Sequence, residues 1–186
     1  MEAVNYTLAQ SREDIEQIIA LQRINQIRIL DEATIAREGF VTFEYDVEGL
    51  WRMNQEFPSV IARYGDQLAG YCISASPTSR GHYAVLDNMY AYFDKLELHG
   101  KPLAEQRWIA MGQVCVAEEF RRMGIFDGMY THFKAVWSAQ FDMCLTEIST
   151  KNVRSQRAHE RVGFRTIHHY GDEAFNEIWA VVAWEW

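Results

Sequence analysis

The chain closes on "IWAVVAWEW", residues 178–186, in which Glu185 is the one polar side chain. A half-buried strand alternates polar and apolar residues, so a strand apolar on both faces belongs in the interior of a sheet. With 186 residues there is material for one compact domain with a sizeable core and little more.

The rest of the chain supplies the other elements. "YTLA" near residue 6 reads as a short strand, and Ser11 with Asp14 makes a capping-box pattern that opens a helix. Ile15, Ile18, Leu21, Ile24 and Ile27 recur every three residues. That period drifts around an α-helix, so the later half is expected to bend or break. Asp46 is placed to cap a second helix carrying Val47, Leu50 and Trp51. "SVIARYGDQLAGYCIS" predicts a hairpin about Gly65-Asp66. "VLDNMYAYFDKLEL" predicts a helix with an aromatic stripe, and "WIAMGQVCV" a buried strand. Ile125, Met129, Phe133 and Val136 form one helical stripe; "DMCLTEIS" is a strand; a short helix runs from Asn152 to a stop at Gly163. "FRTIHHY" gives the strand before the last. The expected order is β-α-α-β-β-α-β-α-β-α-β-β, a mixed α/β domain over 1–186 with a segment inserted at about 78–107.

Composition narrows the partners. The net charge is −8, and no basic face of the kind a nucleic-acid binder carries is visible. No apolar run is long enough to span a membrane. The opening "MEAVNYTLAQSRED" lacks the basic-then-apolar pattern of a secretory signal. Cys72, Cys115 and Cys144 fit neither a disulfide framework nor a zinc site, and the histidines, including His168-His169, show no metal-ligand spacing. The expectation is a cytoplasmic protein, monomer or homodimer, with no metal, no nucleic acid and no membrane.

Against that acidic background "VAEEFRRMGIFDGMY", residues 116–130, stands out. Two arginines and a glycine sit where an apolar strand hands over to an apolar helix. A helix start presents unpaired amide N–H groups with the positive end of the dipole behind them, which makes an anion site. Gly124 lets a phosphate approach the backbone, and Arg121 and Arg122 add charge at the rim. By itself the pattern is better read as a surface turn with solvated arginines.

The stretch resembles the pyrophosphate loop of the GCN5-related N-acetyltransferase (GNAT) superfamily, [QR]-x-x-G-x-[GA] after a small-apolar "V-x-V" run. Val114-Cys115-Val116 supplies the run, Arg121 the first position and Gly124 the glycine, whereas Phe126 replaces the usual glycine or alanine. "NVRSQRAHERVGF" resembles a second motif of that family at Asn152, Ser155, His159, Glu160, Gly163 and Phe164. On a helix, Asn152, Ser155 and His159 share one stripe. Arg154, Arg157 and Arg161 lie opposite, on the expected solvent face. The polar stripe either lines a cleft or satisfies nearby backbone.

The resemblance implies a mixed, mostly antiparallel sheet with helices on both faces. It implies acetyl-CoA as co-substrate, held by Val114, Cys115, Val116, Arg121, Arg122, Met123, Gly124, Ile125, Phe126, Asp127, Asn152 and Ser155. It also implies direct acetyl transfer, within a ternary complex, to the primary amine of a small or amino-acid-like acceptor. His159 stands where the family places a proton-donating tyrosine, and is the expected catalytic acid. A family base position falls on Ala110, which cannot serve; Glu44, Asp46, Asp87, Glu118 and Glu119 are the candidates left, with a water chain as an equal alternative. Acceptor specificity is expected in residues 28–46 and 78–107. A non-catalytic acyl-CoA sensor is the alternative.

Overall fold

A computed structural model describes residues 3–173 and 176–186. In chain order it contains β1 (Val4–Leu8), α1 (Arg12–Ile24), α2 (Glu32–Glu38), α3 (Val47–Glu56), β2 (Val60–Tyr64), β3 (Gln67–Ala75) and α4 (Ala84–Phe93). There follow β4 (Glu97–Leu98), β5 (Lys101–Pro102), β6 (Trp108–Val116), α5 (Ile125–Trp137), β7 (Met143–Ser149), α6 (Val153–Val162), β8 (Arg165–Asp172) and β9 (Glu177–Glu185). Seven strands make one sheet in the order β1-β2-β3-β6-β7-β9-β8, and β4 with β5 makes a small separate ribbon. Every pairing in the large sheet is antiparallel except β6–β7. The closing strand β9 lies between β7 and β8, with Ala180, Val181, Val182 and Ala183 all buried, as its two apolar faces require.

Local signals account for most boundaries. Ser11 and Asp14 form the capping box of α1, and the drifting isoleucine period ends it at Ile24, which is 62% exposed. Tyr64 pairs with Gln67 across the Gly65-Asp66 turn. Asp46 caps α3 and Gly163 ends α6. One helix was not legible: α2, capped by Asp31, buries none of its residues and so leaves no apolar period to read. The inserted segment is α4 plus the ribbon. Its helix stops at Phe93, and Leu98 belongs to the ribbon rather than the helix. Tyr90 and Phe93 turn to the core, with ring centroids 5.9 and 5.6 Å from Trp108.

Helices cover both faces. On one, Met129 of α5 packs beside Gly70 of β3. On the other, α1, α3, α4 and a strap (residues 39–46) gather, and a Cβ on Gly112 of β6 would lie 2.5 Å from the Tyr45 hydroxyl.

The feature that positions the site is the parting of β6 and β7. They pair only at Trp108–Met143, Ile109–Cys144 and Ala110–Leu145. Beyond that, β6 follows β3 as far as Val116 while β7 follows β9 to Ser149. Gly112 is the extra residue of a bulge, since Met111 faces Ser74 and Gln113 faces Ile73. A bulge bends its strand. The Thr146 hydroxyl donates to Met111 O at 2.8 Å and closes the apex of the gap.

Candidate functional site

At the end of β6 the chain turns through two left-handed residues, Arg122 (φ 68°) and Gly124 (φ 76°), before α5 begins. A non-glycine residue in that region is uncommon and clusters at functional turns. Gly124 is the N-cap and provides no side-chain cap, whereas Ser11, Asp31, Asp46 and Asn152 cap their own helices. The first intrahelical bond is Gly128 N–H to Gly124 O. The amides of Ile125, Phe126 and Asp127 therefore point outward without an intrahelical acceptor, forming an anion nest at the positive end of the helix. Nothing lies within 4 Å of a Cβ built on Gly124, so the approach is open. Phe126 does not obstruct it; its ring packs edge-on to His159, centroids 5.2 Å apart.

The nest opens on a cleft of about 620 Å³ between the loop, α6 and residues 36–41. Its lining includes Val114, Cys115, Val116, Arg121, Arg122, Gly124, Ile125, Phe126, Asp127, Asn152 and Ser155. Met123 is not among them; its side chain projects away, 50% exposed. Three further residues or groups differ from expectation. Arg121 is not a rim charge: its guanidinium turns inward to Val116 O (3.2 Å), Asn25 Oδ1 (2.8 Å) and Glu38 (3.3 Å). Arg154, Arg157 and Arg161 are exposed but face the cleft, not open solvent. With Arg37, Arg122 and the inward-turned Arg121 they bring six arginines to the lining against two carboxylates, Glu38 (paired with Arg37, Arg121 and Arg154) and Asp127 (paired with Arg161), so the mouth is net basic in an acidic protein. Finally, the Asn152 side chain is already committed. It caps α6 and donates to Phe40 O at 3.0 Å, tying the strap across the cleft.

Backbone groups of β6 face the same space. Ala117 N–H donates to Ala69 O of β3, so by strand alternation Val114 and Val116 direct their amides away from β3, into the gap. Cys115 packs; burial pushes its thiol up to about 12, and it is no nucleophile.

A second cavity, of about 100 Å³, lies beyond the gap. The strap, α4, β6 and β7 line it, with Glu147 as its one charged side chain. Burial raises the Glu147 carboxyl to about 7, and a hydrogen bond from the Tyr170 hydroxyl only partly offsets this. None of Glu44, Asp46, Asp87, Glu118 and Glu119 lines this cavity. Glu44 pairs with Arg23 and Arg28, Asp46 caps α3, Asp87 accepts from Gly81 N–H, and the last two are exposed on the turn. Glu147 went unread in the sequence, although a lone carboxylate inside the mostly buried strand β7 was the available signal.

His159 is buried, 2% exposed, with both ring nitrogens in use. Nδ1 lies 2.8 Å from Ser155 O, a pure acceptor, so Nδ1 carries the proton and Nε2 accepts from the Tyr130 hydroxyl at 2.7 Å. Burial lowers its pKa to about 4, which keeps it neutral near pH 7. A base whose folded pKa is depressed must be charged on unfolding in acid. Stability held in full above pH ~6.5 is then lost as pH falls toward 4, by up to about 3 kcal/mol from this group. Urea midpoints from pH 8 to 4 are expected to fall more steeply for the wild type than for His159→Gln. Parallel curves would show that His159 is not buried neutral.

No family model matches the sequence, and no curated protein matches it. Solved structures do. NAA60 of Arabidopsis thaliana in complex with acetyl-CoA superposes with a TM-score of 0.66 at 13% identity, over 99% of this chain and 100% of that one. Ard1 from Thermoplasma volcanium gives 0.65 at 13%, over 97% and 96%. The fold is that of the GNAT superfamily. The ribosomal-protein-S18-alanine N-acetyltransferase from Escherichia coli shares it, at 0.62 and 10% identity over 98% and 94%. Within the GNAT fold of this chain, the amide nest and the two cavities gather where β6 and β7 part. Among the described residues no helix is long and apolar enough to cross a membrane, and no cluster of three or more His, Cys, Asp or Glu could hold a metal ion.

Proposed function

We propose that the protein is an acetyl-CoA-dependent N-acetyltransferase acting on a primary amine held in the small cavity. The observation that carries this reading is that the basic cleft and the acidic cavity meet at the strand gap, sharing Phe40, Val41, Val114, Asn152 and Ser155. An anionic carrier on one side thus abuts a cation site on the other.

The chain's groups fit the carrier. The amides of Ile125 to Asp127 and the arginine mouth suit its phosphates, and the Val114 and Val116 amides suit an extended amide-bearing arm. Acetyl-CoA supplies the acetyl thioester. Glu147 takes a proton from the bound ammonium, and a carboxyl near pH 7 is matched to that task. The nitrogen lone pair forms the C–N bond as the C–S bond breaks, and the second proton that the new amide nitrogen sheds passes to water. A β6 amide facing the gap steadies the carbonyl oxygen. The thiol leaving group has a reference pKa of ~8.5, so it can depart as thiolate and take its proton from water. His159 then acts by position: it locks α6 to α5 through Tyr130 and does not donate a proton.

The test is thiol release from acetyl-CoA over a panel of primary amines, beside a CoA binding titration. Amine-dependent release is the expected result. Binding without release leaves an acyl-CoA-binding module, and absence of binding removes the reading altogether.

A further inference from the structure

We infer that the acceptor is a small primary amine on a compact apolar or aromatic body, with no carboxylate beside the amine; this rests on the acetyltransferase reading above. Charge comes first. Among the residues lining the small cavity there is no Arg or Lys, and Glu147 alone is charged. An α-amino acid entering there would bring its carboxylate into a buried site beside Glu147 with no counter-ion. A bare ammonium meets one carboxylate and nothing to repel it.

The second observation is the Tyr45 hydroxyl. Tyr45 lines the cavity at 1% exposure, and its hydroxyl has no hydrogen-bond partner among the described residues. Buried hydroxyls are almost always paired, and this orphan, set against Gly112 in the cavity wall, is one that a ligand group in the cavity could pair with a small shift of the ring. Glu147 is similarly half-used: Tyr170 donates to Oε2, and no described residue donates to Oε1. An ammonium has three donors. One reaches Glu147 Oε1, one reaches the Tyr45 oxygen, and the charge is shared over both.

The walls set the body of the ligand. Phe43, Val85, Leu86, Met89, Ile148 and Trp179 are apolar. The volume, about 100 Å³, is smaller than the ~150 Å³ of an engineered cavity that takes benzene, so a short branched alkyl group fills it and a single ring enters only by reaching back toward the gap. The strap and the α4 segment are joined by Tyr83, whose ring meets Phe43 and Tyr45 edge-on at 5.3 and 5.2 Å and whose hydroxyl donates to Asp46. A cavity so small, between joined walls, suits a small amine better than the end of a polypeptide.

The test takes two matched pairs, 3-methylbutylamine with leucine and 2-phenylethylamine with phenylalanine, and adds the tripeptide Phe-Gly-Gly. Thiol release from acetyl-CoA and calorimetric binding to the CoA-loaded protein are both measured. Each carboxylate-free amine is expected to exceed its amino acid by about 100-fold or more in kcat/KM, and 2-phenylethylamine to exceed the tripeptide about tenfold. Amino acids turned over as well as amines, or a preference for the tripeptide, would overturn the inference. If nothing is turned over, the transfer reading fails and binding decides the acceptor class. Amines binding about tenfold tighter than amino acids uphold it, and equal or undetectable binding overturns it. Tyr45→Phe keeps the ring and removes the hydroxyl; KM for 2-phenylethylamine should rise about tenfold with CoA affinity unchanged. An equal loss of CoA affinity would withdraw the hydroxyl's role.

Discussion

Glu147→Gln is expected to lower kcat for amine acetylation by roughly 10²–10⁴, the range for a positioned general base, while CoA affinity stays the same. The glutamine is nearly isosteric and can still accept the Tyr170 hydroxyl, so the cavity keeps its shape and loses only the proton acceptor. The pH profile makes the assignment specific. With the carboxyl near 7, the active ionised form predominates above that pH, so wild-type kcat/KM should fall as pH drops through about 7. In the variant that limb disappears. Stability provides the control. A carboxyl whose folded pKa is raised favours the fold below its unfolded value of ~4.5, and that contribution is lost as pH rises through about 7. Removing the charge should therefore leave the protein at least as stable at pH 8. Lost turnover cannot then be attributed to unfolding. Turnover within tenfold of wild type, or an unchanged pH limb, would move the base elsewhere.

The fold was legible where local chemistry and tertiary packing agree. The capping pair Ser11–Asp14, the Gly65-Asp66 turn and the doubly apolar β9 each state a requirement that one arrangement meets. The helix α2 stayed silent because it packs on the surface, held by Asp31 and by ion pairs from Glu38 to Arg121 and Arg154. Those partners are distant in sequence, and no period records them.

The site divides along the same line. The anion nest was legible because it is one continuous stretch, from Val114 to Asp127, whose turn geometry follows from a glycine before a helix. The small cavity was not, because strap, α4, β6 and β7 contribute side chains to it from separate parts of the chain. The α6 arginines show another limit. Helical spacing correctly set them apart from Asn152 and His159, yet a period gives relative angles and no absolute direction. His159 was correctly placed on the inner stripe, but its burial and its bond to Tyr130, 29 residues away, could only come from packing.

Gly124→Asp and Gly124→Asn, compared as a pair, bear on the cofactor half of the site. Both substitutions place a side chain on a left-handed residue, a conformation that Asn and Asp tolerate better than most, so the backbone cost is shared. Neither meets a neighbour within 4 Å of its Cβ. They differ by one charge, set at the mouth of the nest. The aspartate suits the helix, since an anion before unpaired amides complements the dipole, and thermal stability should equal or exceed that of the asparagine variant. For CoA the same charge is a competitor. At an effective dielectric near 20, a second anion about 4 Å away costs roughly 4 kcal/mol, reduced by screening at this exposed position. CoA affinity of the aspartate variant is therefore expected to be roughly 10²–10³-fold below that of the asparagine variant, with the difference narrowing as salt is raised. Stability and affinity should move in opposite directions, which a merely misfolded loop cannot produce. Equal losses in the two variants would mean that strain at Gly124, and not charge at the nest, governs CoA binding.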